Sequence, residues 1–481
     1  MKTNRDCGHH ETGGLEDLAR YPSRRSFLNH VGNGFGAMAL AGLMYPELTK
    51  EANAQSAGGM LAPKEPHFPG TAKRAVHIYQ SGAQSHLDTW DYKPELANAG
   101  GTSTGGNRGR KLLAPQFAFS PQGQSGVMMS EIWPELSKHA DDLAIINSMH
   151  TDVPAHGPAT LLQTTGDFRL PKPSLGSWVV YGLGTDNQNL PAFVAMNPGG
   201  FPGQGAKNWQ SAFMPGAFQG TFVDPTATDI ERIIENIRNK FTTAQDQRNQ
   251  LDLLNKINEI HKQSRQVEDK LEARIQSYEL AYRMQADATE AFDVSREPAS
   301  VIEKYGANGQ DPALRSQARQ FIIARRLLER GVRFVQVWNG GWDTHNNIPV
   351  SVARNAGRID QPIAAFLSDL KERGLFEETV IASSTEFGRS PTEDGPNGRS
   401  HNNRAFSSWL AGGGIKGGQI YGSTDELGGA AADDRVHVHE LHSTILHALG
   451  FDSERLTYRN SGRDFRLTDV SGAQPVTKLF S

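Results

Sequence analysis

Short apolar runs alternate with helical stretches along most of this chain, and that alternation restricts its fold more than any other feature. Ala75-Val76-His77-Ile78-Tyr79, Leu143-Ala144-Ile145-Ile146, Leu190 to Ala195, Val332 to Trp338, Thr379 to Ser384 and Phe406 to Ala411 each read as a buried strand. Between them, helices are predicted from Ala159 to Thr165, Ala313 to Arg330, 357 to 373 and Val438 to Leu449. Strands separated by helices build a mostly parallel central sheet with helices on both faces. The predicted class is therefore α/β. Residues 95–126, rich in Gly, Ser and Gln, read as a long surface excursion, and Gly412-Gly413-Gly414 as a turn after a strand. Residues 228–293 are almost free of Gly and Pro and repeat apolar positions at helical spacing, which predicts a helical insertion beside the sheet.

The first 54 residues read as an address. Ser23-Arg24-Arg25-Ser26-Phe27-Leu28 fits the twin-arginine pattern, and a weakly apolar stretch from Val31 to Tyr45 follows it. That stretch is shorter than the roughly 20 residues a membrane helix needs. Ala52-Asn53-Ala54 offers a small-x-small cleavage signal before Gln55, so residues 55–481 are expected to form a single exported, soluble domain delivered by the twin-arginine translocase. The lone cysteine, Cys7, lies in the leader, which leaves the mature part without disulfides, thiolate ligands or a cysteine nucleophile. With 49 basic against 53 acidic residues the net charge is −4, and no nucleic-acid partner is implied. No other segment approaches the length of a membrane span.

Ligands in open parallel sheets bind beyond the carboxyl ends of the strands. The polar residues that follow each predicted strand are therefore the candidates. They are Ser85, His86 and Asp88; His150, Asp152 and His156; Asp343 and His345; and Glu386 and Arg389, with His401 on the long loop after them. Carboxylates and imidazoles without thiols suit zinc first, with manganese, iron, magnesium or calcium as alternatives. Arg389 is the candidate anion contact, because a guanidinium grips phosphate or sulfate with two hydrogen bonds. His439-Glu440-Leu441-His442 is not a zincin motif, since its histidines are three apart, and it reads as a surface helix.

Several motifs occur in order: the twin-arginine leader, Ser81-Gly82-Ala83-Gln84-Ser85-His86-Leu87-Asp88-Thr89-Trp90-Asp91, His156-Gly157-Pro158-Ala159, Gly341-Trp342-Asp343-Thr344-His345, Glu386-Phe387-Gly388-Arg389 and Gly462-Arg463-Asp464-Phe465. Together they resemble the uncharacterised domain-of-unknown-function family 1501, placed near the alkaline phosphatase and sulfatase superfamily. The resemblance implies an alkaline phosphatase-like sheet and a divalent metal. His156-x-Pro158 with Thr165-Gly166 resembles the sulfatase nucleophile motif, with His156 where the nucleophile would stand and Thr160 in place of the arginine. Asp343-x-His345 is similar to the superfamily's Asp-x-x-x-His metal motif, and Glu386-Phe387-Gly388 to its Asp-His-Gly, with Phe387 replacing the histidine. His401 would correspond to the last metal histidine.

These comparisons imply one metal on Asp343, His345 and His401, with Glu386, Asp88 and His86 completing a second or degenerate site. His156 and Arg389 are left as the catalytic candidates. The departure at position 156 rules out formylglycine chemistry. Two functions follow. One is a metal-dependent hydrolase of a phosphate or sulfate ester, on a small molecule or a polysaccharide. The other is a non-catalytic, metal-containing binding protein for a glycan, a cell-wall component or a protein partner.

Overall fold

A computed structural model describes residues 60–481 apart from 105–108, 228–242, 244, 247, 254–255 and 257–289. The leader and most of the predicted helical insertion at 228–293 lie outside the described residues. The strands that build the site are β1 (Arg74–Gln80), β2 (Ala144–His150), β3 (Phe193–Met196), β4 (Thr221–Val223), β5 (Phe334–Asn339) and β6 (Thr379–Ser384). They continue with β7 (Gly388–Glu393), β8 (Arg399–Asn402), β9 (Phe406–Ala411), β10 (Gln419–Tyr421) and β11 (Val436–His437). The main helices are α1 (His156–Thr165), α2 (Leu175–Leu183), α3 (Pro312–Glu329), α4 (Ile348–Glu372) and α5 (Val438–Ala448).

The sheet runs β10-β2-β9-β6-β1-β5-β3-β4, with β11 also beside β2. β1 pairs in parallel with both β5 and β6, and β3 with both β5 and β4. Only β9 is antiparallel to its neighbours. The sequence has no signal for that reversal, because β9 is as apolar as the parallel strands around it.

Side chains alternate across this sheet, which needs cover on both sides. Val76 and Ile78 of β1 join the core beneath α3 and α4, while Ala75 and Tyr79 join the core beneath α2 and α5. The fold is α/β with a mostly parallel sheet between helical layers, as the alternation predicts. Each long helix on the first face starts from a local signal. Pro312 takes the first turn of α3, where Asp311 caps the N–H of Ala313 at 2.8 Å, and Pro349 sits in the first turn of α4.

Four boundaries differ from expectation. The second strand runs on to His150, and α1 starts at His156, three residues early. α4 starts nine residues early, at Ile348. The surface excursion contains a helical turn, Pro94–Asn98, and a strand, Phe119–Gln122. α5 is not a surface helix. His442 is 1 % exposed and donates from Nε2 to Gln163 O at 2.8 Å, and His439 does the same to Gly166 O at 2.9 Å. Two imidazoles thus cap the last carbonyls of α1.

Burial holds His77 and His437 at about 4 and His442 at about 3. Each lies below its unfolded value near 6.5, so the unfolded chain binds more protons in that window. Stability from these groups is present above about pH 6.5 and is lost as the pH falls towards their folded values. Asp360, raised by burial to about 6, acts in the opposite direction but is a single group. The metal-free protein is therefore expected to unfold at lower urea at pH 5 than at pH 7. Equal midpoints would contradict neutral, buried imidazoles.

Candidate metal centre

The carboxyl ends of β1, β2, β5 and β6 open on one edge, and the antiparallel β9 begins there. Asp343 and His345 follow β5, and Glu386 follows β6. His156 is the first residue of α1, and His401 lies on β8, which pairs with β7 through Arg389. Close backbone approaches set the loops against each other. A Cβ on Gly82, whose φ is +117°, would fall 2.5 Å from Asp343 N, and one on Gly398 would fall 1.9 Å from His345 O.

Four side-chain atoms meet at this edge. His401 Nε2 lies 3.0 Å from both His156 Nε2 and His345 Nε2. Asp343 Oδ1 lies 3.1 Å from His345 Nε2, 3.3 Å from His156 Nε2 and 3.6 Å from His401 Nε2. A tetrahedral ion with bonds of about 2.0–2.1 Å separates its ligand atoms by about 3.3–3.4 Å. The five separations above bracket that edge length and account for five of the six edges of such a tetrahedron. His156, Asp343 and His401 are a group of three such side chains whose ligand atoms all lie within 4.8 Å of one another, and His345 stands beside them, close to His401 and Asp343.

The outer ring nitrogens fix the tautomers. His401 Nδ1 faces Pro154 O at 2.9 Å, His345 Nδ1 faces Asp394 Oδ2 at 3.0 Å and His156 Nδ1 faces Glu386 Oε1 at 2.6 Å. All three partners are acceptors, so each Nδ1 carries the proton and each neutral Nε2 turns a lone pair inward. Two Nε2 lone pairs facing one another at 3.0 Å repel unless a proton or a metal ion lies between them. Imidazoles that donate Nδ1–H outward to a carboxylate or carbonyl are the usual setting of metal histidines. The donor set fits an ion.

Electrostatics agree with this geometry. Burial would raise the Asp343 carboxyl, but the Arg389 guanidinium bonded to it at 2.6 Å holds it at about 2. Burial lowers His401. Burial works most strongly to lower His156, but its bond to Glu386 together with the charges of Glu386 and Asp343 outweighs that and raises it. Asp343, with its side chain 49 % exposed, and His345, at 41 %, leave the cluster open to solvent.

The sequence reading set His156 apart from the metal residues, whereas its Nε2 lies among them. Glu386 stands behind His156. Its fully buried carboxylate also accepts from Gly82 N at 2.9 Å, Tyr79 Oη at 3.2 Å and Thr385 Oγ1 at 3.1 Å. Glu386 therefore orients an imidazole instead of reaching the centre. Arg389 differs more. Four of its five N–H donors go to Ala83 O, Gly82 O, Asp343 Oδ1 and Arg399 O, and the fifth faces His345 Nε2, the lone pair an ion would take, so at most one donor is left for an anion.

Asp88 and His86 are not part of the cluster. Asp88 forms a fully buried pair with Arg399, with Nε at 2.8 Å, and also accepts from Gln116 N at 2.8 Å. His86 bonds Gly428 O at 3.0 Å. Both follow a strand, but the helical turn His86–Thr89 buries them both. Sequence reasoning missed Asp394, whose only signal is the acidic pair Glu393-Asp394 at the turn between β7 and β8, and Pro154, whose carbonyl has no signal at all.

The family described as "Protein of unknown function (DUF1501)" matches residues 72–480, and the chain belongs to that family. No curated protein matches the sequence. Among solved structures, the chain is similar to the PsFucS1 sulfatase from Pseudoalteromonas sp., at 11 % identity and a TM-score of 0.33 over 79 % of this chain and 68 % of that one. It is similar to the lipoteichoic acid synthase LtaP from Listeria monocytogenes, at 8 % identity and a TM-score of 0.37 over 82 % and 77 %. It is also similar to the phosphonate monoester hydrolase SpPMH from Silicibacter pomeroyi, at 12 % identity and a TM-score of 0.33 over 85 % and 76 %. Likenesses this distant concern the fold, and the function has to be argued from the site.

Proposed function

We propose that this member of the family is a hydrolase of phosphate or sulfate esters that uses one metal ion held by His156, His345, His401 and Asp343. The observation that carries the proposal is the convergence of three outward-anchored imidazoles on one carboxylate oxygen. Three nitrogens and one oxygen suit zinc, with manganese or iron next, and disfavour magnesium and calcium, which take oxygen ligands. Such an ion would supply Lewis acidity towards a phosphoryl or sulfuryl oxygen and make water a stronger acid at neutral pH.

The chain's own residues do the rest. Asp394, Pro154 and Glu386 hold the imidazoles in one tautomer. Arg389 keeps Asp343 ionised and fixes its direction. Ala155, the N-cap of α1, makes no side-chain cap, and with Pro158 lacking an N–H the uncapped donors of the first turn are those of His156 and Gly157. That helix start would share the anion contact with the one Arg389 donor that an ion on His345 frees.

Export is part of the proposal. It rests on Arg24 and Arg25, on the cleavage signal before Gln55 and on the finding that no described helix is long and apolar enough to cross a membrane. The second reading, a metal-containing binding protein, draws on the engagement of four Arg389 donors within the protein and on His156 in place of a hydroxyl or thiol nucleophile. One experiment separates the two. Protein recovered after export should begin at Gln55 by intact mass, contain one zinc and hydrolyse 4-nitrophenyl phosphate or sulfate, with activity lost to a chelator and restored by zinc. Bound zinc without turnover would favour the binding protein. Absence of metal would end both.

A further inference from the structure

Phe201 is a large apolar side chain left 58 % exposed, and its ring is not loose. It stacks on Phe222 with centroids 4.4 Å apart and planes 26° apart, and on Trp209 at 5.7 Å and 17°. Trp209 and Phe222 are themselves stacked at 5.3 Å and 15°. Three nearly parallel rings, with Trp209 buried, make a rigid platform whose outer face meets water. The turn that presents it is held by Asn197 Nδ2 donating to Gly200 O at 2.7 Å and Gly199 N donating to Asp224 Oδ1 at 3.3 Å.

This platform lies on the edge of the sheet that carries the metal centre. Phe201 comes five residues after the end of β3, which runs parallel to β5. Three residues further on, Gln204 packs so close to the start of α1 that a Cβ on Gly157 would strike its amide nitrogen. Gly157 follows His156. Three residues of extended chain span at most about 10 Å, so the platform is within reach of one substrate molecule bound at His156.

The surroundings identify the occupant. The exposed face is one ring wide, and the same loop exposes Gly203, Gln204 and Lys207 but no other large apolar side chain. A protein partner or a membrane surface needs a contiguous apolar area of several hundred Å². A flat apolar disc in a loop that otherwise exposes an amide and an ammonium group instead matches a pyranose ring. Such a ring lays its C–H face on the aromatic, turns its hydroxyls outward and can carry an anionic ester towards the lysine.

We infer that Phe201 is the stacking platform of a carbohydrate subsite, and that the substrate class of the neighbouring metal centre is an ester carried on a sugar chain. The substrate assignment rests on the hydrolase reading, whereas sugar binding at Phe201 does not. Calorimetric titration of the zinc-loaded mature chain with a carrageenan hexasaccharide, and with uncharged maltohexaose as a second probe, tests it. Saturable binding of at least one of them is expected. It should weaken about tenfold or more in Phe201→Ala and persist in Phe201→Trp, with equal zinc content in all three proteins. Binding that is equal in Phe201→Ala, or no binding of either hexasaccharide to the unaltered chain, would overturn the inference. Saturable, Phe201-dependent binding without hydrolysis of any ester would keep the subsite and remove the hydrolase.

Discussion

Replacing Asp88 with Asn is expected to destabilise the protein by about 3–5 kcal/mol, the usual cost of removing one partner of a buried ion pair. Asp88 and Arg399 have no solvent exposure, and the side chains meet through Nε–Oδ2 at 2.8 Å and Nη2–Oδ1 at 3.3 Å. The amide would keep the shape and remove the charge, which leaves a guanidinium buried among the carbonyls of Leu113 and Ala114. Urea unfolding at constant m-value reads the loss, and a change under about 1 kcal/mol would contradict it. Because Arg399 lies two residues before His401, with a bulge between them, the same variant should also hold zinc more weakly. The double variant Asp88→Asn with Arg399→Met should be more stable than Asp88→Asn alone, since no unpaired charge remains.

The second large effect concerns the metal directly. Zinc sites with four protein ligands bind with ~10–16 kcal/mol, or about 3 kcal/mol per ligand, so losing one should cost roughly a hundredfold in affinity. His401→Ala is expected to show that loss in a competition titration against a chromophoric chelator. His401 is the natural choice because its Nε2 touches two other ligand atoms at 3.0 Å. Its ring is also partly exposed and anchored by one carbonyl, Pro154 O, so the fold should survive its removal. A change below about threefold would contradict a ligand role for His401.

Much of this arrangement could be read from the chain because a parallel sheet sorts residues by position along strands. Asp343 and His401 are far apart in sequence, yet each lies where a strand end or its following hairpin reaches the same edge. The structure brings them within 3.6 Å. That rule places residues at an edge but says nothing of what each side chain meets there. Asp88 satisfied it equally well and instead found Arg399, a partner 311 residues away with no local signature. Arg389 had the right chemistry for an anion, but its donors were taken by carbonyls that only the folded backbone presents. His156 stood apart from the ligands because the resemblance placed it where a nucleophile would stand. The helix is entered at His156 itself, and this turns the ring into the cluster. The reversal of β9 was equally hidden, since buried strands of either direction carry the same apolar pattern.

X-ray absorption at the zinc edge of the purified protein tests the central claim most directly. Three imidazole nitrogens and one or two oxygens at about 2.0–2.2 Å are expected, with the outer-ring scattering of three histidines. In Asp343→Ala and His401→Ala the oxygen and imidazole contributions should fall respectively. A protein that binds no zinc, or a shell of oxygens with fewer than two imidazoles, would contradict a centre built on His156, His345, His401 and Asp343.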